Sequence, residues 1–447
     1  MKKLFGTDGM RGKAGDFPLD KKTITIAGGS LARIFREKLG RYPRFVIGRD
    51  TRESGGWIER ALYGGAISES AVCESAGIIT TPGLAFVTKH FDFDAGIVIS
   101  ASHNPFEDNG IKIFLPDGKK SDEATEKEIE KDIYNGQRSM DNGQFSVDDS
   151  KASEFQGAYL DYLANGFPDL SLKNFKMVVD CANGAASELA PRLFERFGAE
   201  VLAINNRPDG KNINRDCGSL HLENLRQRVL EENADFGAAF DGDADRSLFV
   251  DERGNLVDGD ATLWIMAQFL QEHGRLNNNT VVATVMSNIG LEIAFNSKDI
   301  KILRTAVGDK YVLEELLKTG ASIGGEQSGH IIFPRKSLVG DGMMTALFLL
   351  EALYEKGKKF SEMTAGFTRY PQILVNVKVT EKLPFEEVKE IVSASKALEK
   401  RLDGNGRLLL RYSGTENLAR VMIEGQDQAE IETQANELAE VIKNSLG

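Results

Sequence analysis

The stretch GIVISASHNP, residues 96–105, combines a buried strand with a polar loop. Its apolar run, Ile97 to Ile99, predicts a short buried strand, and Pro105 then fixes its own φ and removes a backbone donor. A strand that stops in a rigid Ser/His/Asn loop presents a hydroxyl at the edge of a sheet, where α/β proteins usually bind ligands. Two interpretations are open from this stretch alone: Ser102 is a nucleophile or phosphate carrier, or the loop is a turn that only ends the strand.

Similar strand-then-turn patterns recur along the chain. Three apolar strands are each followed by a small or polar turn and a helical stretch, at Phe45 to Asp50, Met177 to Asp180 and Thr280 to Val285. The alternation predicts mostly parallel sheets covered by helices, repeated as a loose architectural unit, with one larger sheet in the first half as the alternative. The last part differs, because alternating apolar residues from Ile373 to Val379 predict a half-exposed strand and an amphipathic helix follows. At 447 residues the chain is expected to form three or four domains.

Charge and composition exclude several classes of partner. Lys and Arg total 55 against 67 Asp and Glu, and the net charge of −12 repels nucleic acid and anionic lipid, so neither is expected as a partner. The sequence has no run of ~20 apolar residues, so no membrane span is expected. The three cysteines are widely spaced and match no metal pattern, which indicates a reducing, cytoplasmic environment. An anionic substrate would therefore need a local cluster of cations or a metal.

The sequence DGDADR, residues 241–246, predicts a metal site. Asp241, Asp243 and Asp245 alternate with small residues, and carboxylate oxygens are the ligands that hard divalent cations prefer. The loop resembles the start of a calcium-binding EF-hand, but Arg246 stands where that loop needs glycine and the flanks predict strands. A strand-end Mg²⁺ site is preferred, with a solvated acidic turn as the alternative. Since Mg²⁺ usually binds a phosphate oxygen as well, the loop requires a phosphorylated partner.

Three other loops suit a phosphorylated sugar. The glycine-rich GTDGMRG, residues 6–12, carries Arg11, which could pair with a phosphate. The GGEQSGH loop, residues 324–330, offers Glu326 and other polar groups to sugar hydroxyls or an amine. In RYSGTENLAR, residues 411–420, two arginines flank a Ser-Gly-Thr turn, a combination that holds a phosphate dianion without a metal. For the first two loops a plain turn is the alternative.

A proton carrier is indicated beside the serine loop. Asn109-Gly110 is a strong turn signal, and Ile111 to Phe114 resumes a strand, so the pattern predicts a hairpin that carries Lys112. Lys112 is a candidate for proton transfer, and a lysine on an exposed strand edge is the alternative. Nearby cations are expected to favour its neutral form.

The serine loop, DGDADR, GGEQSGH and RYSGTE, in this order, resemble the α-D-phosphohexomutase family over essentially the whole chain. The resemblance implies an α/β protein with three topologically similar mixed α/β domains and a smaller C-terminal α+β domain around a central cleft. The implied domains are 1–153 with the phosphoserine loop, 154–254 with the metal-binding loop, 255–368 with the sugar-recognition loop and 369–447, a lid with the phosphate-binding loop.

The resemblance also implies roles for individual residues. Ser102 would carry the transferred phosphoryl group, and Arg11 and Arg246 would surround it. Besides these three catalytic residues, Lys112 and His330 are our own candidates for proton transfer to and from the sugar oxygens. The implied ligands of Mg²⁺ are Ser102, Asp241, Asp243 and Asp245. The implied substrate-binding residues are Glu326 and Ser328, which select the sugar ring, and Arg411, Ser413, Gly414, Thr415 and Arg420, which hold the distal phosphate.

The implied activity is an isomerase reaction on a phosphorylated amino sugar. Glucosamine 6-phosphate and glucosamine 1-phosphate would interconvert through phosphoserine and a bisphosphorylated sugar, feeding UDP-N-acetylglucosamine synthesis in the cytoplasm. GTDGMRG and Gln327 resemble the amino-sugar branch of the family, whereas Tyr412 and Asn417 replace prolines that are common in its phosphate loop. A phosphoglucomutase or phosphomannomutase is the alternative within the family. A metal-dependent sugar-phosphate phosphatase and an idle sugar-phosphate sensor are alternatives of other classes, and a homodimer is left open.

Overall fold

The computed structural model describes residues 3–136, 146–402, 404–413 and 417–447. The chain divides into two units, Met1–Met286 with Ile302–Ala365, and Ser287–Lys301 with Gly366–Gly447. Among the described residues, no helix is both long and apolar enough to cross a membrane.

The N-terminal part of the first unit forms a six-stranded sheet. Its strands are β1 (Phe5–Gly6), β2 (Gly9–Lys13), β3 (Arg44–Arg49), β4 (Val72–Ile78), β5 (Ala95–Ile99) and β6 (Asp108–Phe114), and its helices are α1 (Lys21–Leu39), α2 (Gly55–Ser68), α3 (Thr81–His90) and α4 (Glu123–Asn135). The strand order is β1-β2-β6-β5-β3-β4. β5 is buried along its whole length, which confirms the strand predicted from Ile97 to Ile99. β6 pairs with it in antiparallel fashion as the hairpin predicts, but the turn predicted at Asn109-Gly110 is wrong, because both residues lie inside β6 and pair with β2.

A second, five-stranded sheet follows. Its strands are β7 (Lys176–Asp180), β8 (Glu200–Ile204), β9 (Phe236–Phe240), β10 (Ser247–Asp251) and β11 (Leu256–Val257), and the helices around it are α5 (Ala152–Asn165), α6 (Ala186–Arg196) and α7 (Glu223–Glu231). The order is β11-β10-β9-β7-β8. The first half of the chain therefore holds two sheets, and the alternative of one larger sheet is wrong.

The third sheet has four strands. These are β12 (Thr280–Thr284), β13 (Lys301–Thr305), β14 (Gly324–Gly325) and β15 (Ile331–Ile332), in the order β13-β12-β14-β15. The helices of this stretch are α8 (Gly259–Glu272), α9 (Ile289–Asn296), α10 (Asp309–Thr319), α11 (Gly342–Lys356) and α12 (Phe360–Met363), of which α9 belongs to the second unit.

The three sheets share one strand order. Each sheet contains four neighbouring strands in the spatial order 2-1-3-4, numbered by their order along the chain. These are β4-β3-β5-β6, β8-β7-β9-β10 and β13-β12-β14-β15. In each run the last strand pairs antiparallel with the third. The prediction of three topologically similar mixed α/β domains is confirmed.

The second unit carries the smaller α+β fold predicted for the C-terminal part. Its strands are β16 (Gln372–Lys378), β17 (Arg407–Tyr412) and β18 (Leu418–Glu424), in the order β16-β18-β17, and its other helices are α13 (Lys389–Leu402) and α14 (Gln428–Leu446). All pairs in this sheet are antiparallel. Apolar side chains on one face of the sheet, including Val421 and Ile423, pack against Ile431 and Leu438 of α14.

Candidate active site

The serine loop begins where β5 ends. Ser102 is buried, and its φ of 54° lies in the left-handed region that non-glycine residues seldom adopt. Its backbone N–H donates to Ser100 Oγ at 2.9 Å. Residues held in such conformations cluster at functional sites, because the surrounding structure must fix them.

The aspartate loop connects β9 to β10 and meets the serine loop directly. Ser102 Oγ donates a hydrogen bond of 2.5 Å to Asp241 Oδ2. Gly242 lies so close to the Ser102 carbonyl that a side chain at 242 would collide with it. One carboxylate oxygen from each of Asp241, Asp243 and Asp245 falls within 4.8 Å of the other two. The structure therefore brings the predicted serine and the predicted metal ligands into one site.

The three aspartates fit a divalent cation. All three are buried, and Asp243 Oδ1 and Asp245 Oδ1 have no hydrogen-bond partner among the described residues. Burial, together with the charges of Asp245 and Asp243, raises the pKa of Asp241 well above its usual value. A hard cation bound here would accept lone pairs from these buried oxygens and would offset the repulsion between the carboxylates. The donor set thus suits a metal bound by oxygen.

Lys112 reaches the same loop from β6. Its Nζ lies 2.7 Å from Asp243 Oδ2, 3.2 Å from Asp245 Oδ2 and 3.2 Å from Asp8 Oδ2. Burial works against its charge, but these three carboxylates outweigh it and hold the pKa of Lys112 well above the usual value. The expectation that nearby cations neutralise Lys112 is wrong, because carboxylates surround it. The alternative that Lys112 lies on an exposed strand edge is also wrong, since only 1% of its side chain is exposed.

Arg11 and Lys112 share an ion-pair partner, Asp8. Asp8 binds Arg11 and Lys120 in short ion pairs, and Lys120 continues to Asp309 at 2.5 Å. Burial would raise the pKa of Asp8, yet Lys112, Lys120 and Arg11 together hold it well below the usual value. Sequence reasoning named Arg11 but missed Asp8, Lys120 and Asp309, which lie far apart in sequence.

Arg246 contacts the serine loop through His103. Arg246 Nη1 and His103 Nδ1 are 3.2 Å apart, and Ser102 Oγ lies 3.3 Å from the same nitrogen. Burial and the charges of Arg246 and Arg11 lower the pKa of His103 to about 4. The imidazole is therefore neutral at physiological pH, and its Nδ1 accepts the hydrogen bond from the guanidinium.

Two residues that the sequence analysis missed hold the backbone of the serine loop. Arg52 is buried, forms a short ion pair with Asp50, and donates from Nη2 to the carbonyls of Ser102 at 3.2 Å and Asn104 at 2.6 Å. Asn214 Nδ2 donates to the same two carbonyls at 2.8 and 3.1 Å. The signal available in the sequence for Arg52 was an arginine that closely follows a strand; nothing in the sequence singles out Asn214.

The sugar-recognition loop forms the turn between β14 and β15. Glu326 is buried and accepts from the Gly308 N–H at 3.1 Å, whereas Ser328 is exposed. His330 Nε2 accepts from the Gly340 N–H at 3.1 Å, and His330 Nδ1 lies 3.7 Å from Asp245 Oδ1. His330 is therefore next to the aspartate loop.

The phosphate-binding loop lies in the second unit. Arg411 and Arg420 occupy directly opposite positions on β17 and β18, and Arg420 Nη2 is 3.5 Å from the hydroxyl of the buried Ser413. Burial and the charge of Arg420 lower the pKa of Arg411. Lys382, which the sequence analysis missed, donates to the Ser413 carbonyl at 2.7 Å. The predicted ligands Gly414 and Thr415 lie outside the described residues.

Tyr412, at a position where the resemblance leads us to expect proline, is fixed in place. Its hydroxyl donates to the Leu383 carbonyl at 2.5 Å, and its ring stacks on Phe385 with centroids 4.2 Å apart. The carbonyl of Asn417 accepts from the Val379 N–H at 3.0 Å. Both departures from the family pattern are thus anchored by contacts outside the loop.

Sequence comparison matches four family models in chain order. They are domains I, II and III of phosphoglucomutase/phosphomannomutase, at residues 2–140, 157–254 and 258–370, and its C-terminal domain at 374–441. The chain belongs to the phosphoglucomutase/phosphomannomutase family. The resemblance inferred from the four motifs is confirmed. The domain boundaries inferred from the sequence stay a prediction.

Relatives in this phosphoglucomutase/phosphomannomutase family match along their whole length. A phosphoglucosamine mutase of Syntrophotalea carbinolica is 47% identical over 100% of this chain and 98% of its own. A phosphoglucosamine mutase of Caldicellulosiruptor saccharolyticus is 48% identical over 100% of both chains.

Solved structures show the same phosphoglucomutase/phosphomannomutase fold at lower identity. A family protein from Burkholderia thailandensis gives a TM-score of 0.79 at 23% identity and covers 99% of this chain and 97% of its own. Aspergillus fumigatus N-acetylphosphoglucosamine mutase, in complex with GlcNAc-6P and magnesium, gives 0.67 at 20% identity over 99% and 96%. At these identities the likeness concerns the fold.

Proposed function

We propose that this protein interconverts glucosamine 6-phosphate and glucosamine 1-phosphate, and that Ser102 carries the transferred phosphoryl group. The observation that carries the proposal is the 2.5 Å hydrogen bond from Ser102 Oγ to Asp241, inside a cluster of three buried carboxylates. Full-length similarity to phosphoglucosamine mutases supports the amino sugar as substrate. Such an enzyme is an isomerase.

The reaction would run in two transfers. In the first, the bond between phosphorus and Ser102 Oγ breaks while a bond to the sugar O1 forms; the 1-hydroxyl gives up its proton and Ser102 Oγ takes one up. In the second, the bond between phosphorus and the sugar O6 breaks while a bond to Ser102 Oγ forms again; the Ser102 hydroxyl gives up its proton and O6 takes one up. Lys112 and His330, which both lie against the aspartate loop, are proposed to carry these protons. Arg246 and Arg11 would balance the charge of the transferred group.

The three aspartates, with the phosphorylated Ser102, are proposed to hold Mg²⁺. When bound, the ion would neutralise charge on the transferred phosphoryl group. Glu326, buried and negatively charged when ionised, suits the ammonium of an amino sugar, and the exposed Ser328 could reach a ring hydroxyl. Arg411, Ser413 and Arg420, with Gly414 and Thr415, are proposed to grip the phosphate that is not reacting.

The cellular setting is part of the proposal. The three cysteines are buried free thiols, which supports the reducing cytoplasm expected from the sequence. There the product would feed the synthesis of UDP-N-acetylglucosamine. The proposed partner is the phosphorylated amino sugar, and a homodimer stays open.

A two-substrate assay tests the proposal. Purified protein is incubated with glucosamine 6-phosphate or glucose 6-phosphate, and 1-phosphate product and inorganic phosphate are measured separately. The proposal requires faster conversion of the amino sugar; faster conversion of glucose 6-phosphate would favour a phosphoglucomutase, and stoichiometric phosphate release would favour a phosphatase. Peptide mapping should locate phosphate on Ser102, and Ser102→Ala should abolish turnover while the exposed Ser150→Ala does not.

A further inference from the structure

A cavity lies in the first unit, away from the residues of the candidate site. It has a volume of about 460 Å³ and is bounded by α3, α5 and the segment 334–344. Small-molecule sites typically measure roughly 300–1,000 Å³ and combine apolar walls with a few polar groups. None of the residues assigned above to catalysis, metal or substrate lines this cavity.

One wall of the cavity is aromatic. The ring of Phe86 stacks on Tyr162 with centroids 4.6 Å apart and an interplanar angle of 21°, and on His90 at 4.9 Å and 18°. The Tyr162 hydroxyl donates to the Lys336 carbonyl at 2.6 Å, which ties this wall to the segment opposite. The result is a prearranged stack of three flat rings at the edge of the cavity.

The other polar groups give the cavity a positive character on a protein of net charge −12. Lys89, Arg335 and Lys336 line it and are exposed. Among the described residues, none of the three has a carboxylate within ion-pair distance. The two acids in the lining are already engaged: Asp117 pairs with Lys119 at 3.2 Å, and Asp341 accepts from the Tyr159 hydroxyl at 2.8 Å.

We propose that this cavity binds a nucleoside phosphate, with the base against the Phe86 stack and the phosphate among Lys89, Arg335 and Lys336. Flat aromatic rings bind nucleobases by stacking, and lysine and arginine bind phosphate oxygens through charge-assisted hydrogen bonds. The combination recognises both halves of a nucleotide, whereas a sugar phosphate would leave the aromatic wall unused.

The cavity is joined to the aspartate loop by two short connections. α3, which lines it, begins at Thr81, and the Thr81 hydroxyl donates to Asp243 Oδ2 at 2.5 Å. Asp341 lines it too, and the next residue, Gly342, donates from its N–H to the Ala244 carbonyl at 3.0 Å. A bound nucleotide would therefore touch the two elements that support the metal-binding loop, and it would do so from outside the active site.

Calorimetric titration of the full-length protein tests this inference. The titrants are AMP and UMP, with adenosine and inorganic phosphate as the two halves, each with and without saturating glucose 1,6-bisphosphate to fill the active site. We expect one nucleotide to bind per chain in both conditions, and each half alone to bind at least about tenfold more weakly. Displacement of the nucleotide by the bisphosphate, or the absence of nucleotide binding, would overturn the proposal.

Variants separate this site from adventitious binding. Lys89→Ala/Lys336→Ala should weaken AMP binding by about tenfold or more, with mutase turnover unchanged, because both side chains are exposed and outside the candidate site. Lys22→Ala, at an exposed lysine of α1, is the matched control and should bind AMP normally. Equal binding by the double variant would refute the site. Hydrogen exchange of the wild type provides a readout without mutation: AMP should protect 82–90 and 334–344, and protection elsewhere alone would also refute it.

Discussion

Arg52 is the residue whose replacement tests most directly how the serine loop is held. In Arg52→Met the apolar side chain fills a similar space, but three interactions disappear: the ion pair with Asp50 and the hydrogen bonds to the carbonyls of Ser102 and Asn104. Asp50 is fully buried, so the substitution leaves a carboxylate without its cation in the interior. Removing one partner of a buried ion pair costs about 3–5 kcal/mol.

A double variant separates stability from catalysis. Asp50→Asn/Arg52→Met removes the stranded charge, and the remaining loss is the two hydrogen bonds to loop carbonyls, worth about 1 kcal/mol each. The free energy of unfolding should then lie within about 2–3 kcal/mol of the wild type. The carbonyls of Ser102 and Asn104, however, would then accept a side-chain hydrogen bond from Asn214 only. A displacement of ~1 Å at a reacting group can lower the rate by about 10²-fold.

Urea unfolding and steady-state kinetics provide the assay. We expect the single variant to be low in both stability and kcat, and the double variant to regain stability while kcat stays low and KM changes little. If kcat recovers together with stability in the double variant, Arg52 serves only to neutralise Asp50, and the positioning argument is refuted. The Asp50→Asn single variant is the control for the carboxylate itself.

Three further predictions concern pH, metal and the phosphate-binding loop. Burial raises the pKa of Asp341 from 3.8 to about 6. The native protein therefore loses stability as the pH rises through that range, by about 3 kcal/mol when Asp341 is fully ionised. Asp341→Asn should therefore stabilise the protein at pH 7–8, as measured by urea unfolding, and the gain should vanish towards pH 4; an equal gain at both ends would contradict the assignment. Removing divalent metal with a chelator should abolish turnover and lower the melting temperature, since a metal at 100 times its Kd adds about 2.7 kcal/mol, and an unchanged melting curve would argue against the carboxylate site. Tyr412→Phe removes the hydrogen bond to Leu383 but keeps the stacked ring, so KM should rise by roughly five- to tenfold with kcat nearly unchanged, and a loss confined to kcat would place the residue in chemistry instead.

Local sequence was sufficient where one motif contains both the backbone and the chemistry. The apolar run before Ser102 predicts β5 and the polar loop at its end together, and DGDADR likewise marks the polar loop that follows β9. Each loop lies at a strand end, where α/β proteins place their ligand-binding residues. Ser102 and Asp241 follow strands of two different sheets, however, so their hydrogen bond depends on tertiary structure.

The contacts that adjust the site were beyond local sequence. Lys112 was placed on the correct hairpin, but its carboxylate neighbours come from residues 8 and 241–245, so their effect on its charge depends on tertiary structure. Arg52 carries only the weak signal of an arginine that follows a strand, and Asn214 and Lys120 have no distinguishing pattern around them. A single polar residue carries no periodicity, and only the folded chain shows what it reaches.

The opposed arginines on β17 and β18 give the second unit an unusual property. Like charges in directly opposite positions weaken a strand pair, and here Arg411 and Arg420 face each other on the two strands that flank the loop proposed to bind phosphate. A dianion placed between them would turn repulsion into attraction on both sides. Binding of the phosphate would then also stabilise the pairing of β17 with β18. The second unit should therefore be most stable when the sugar phosphate is bound and less stable after it dissociates.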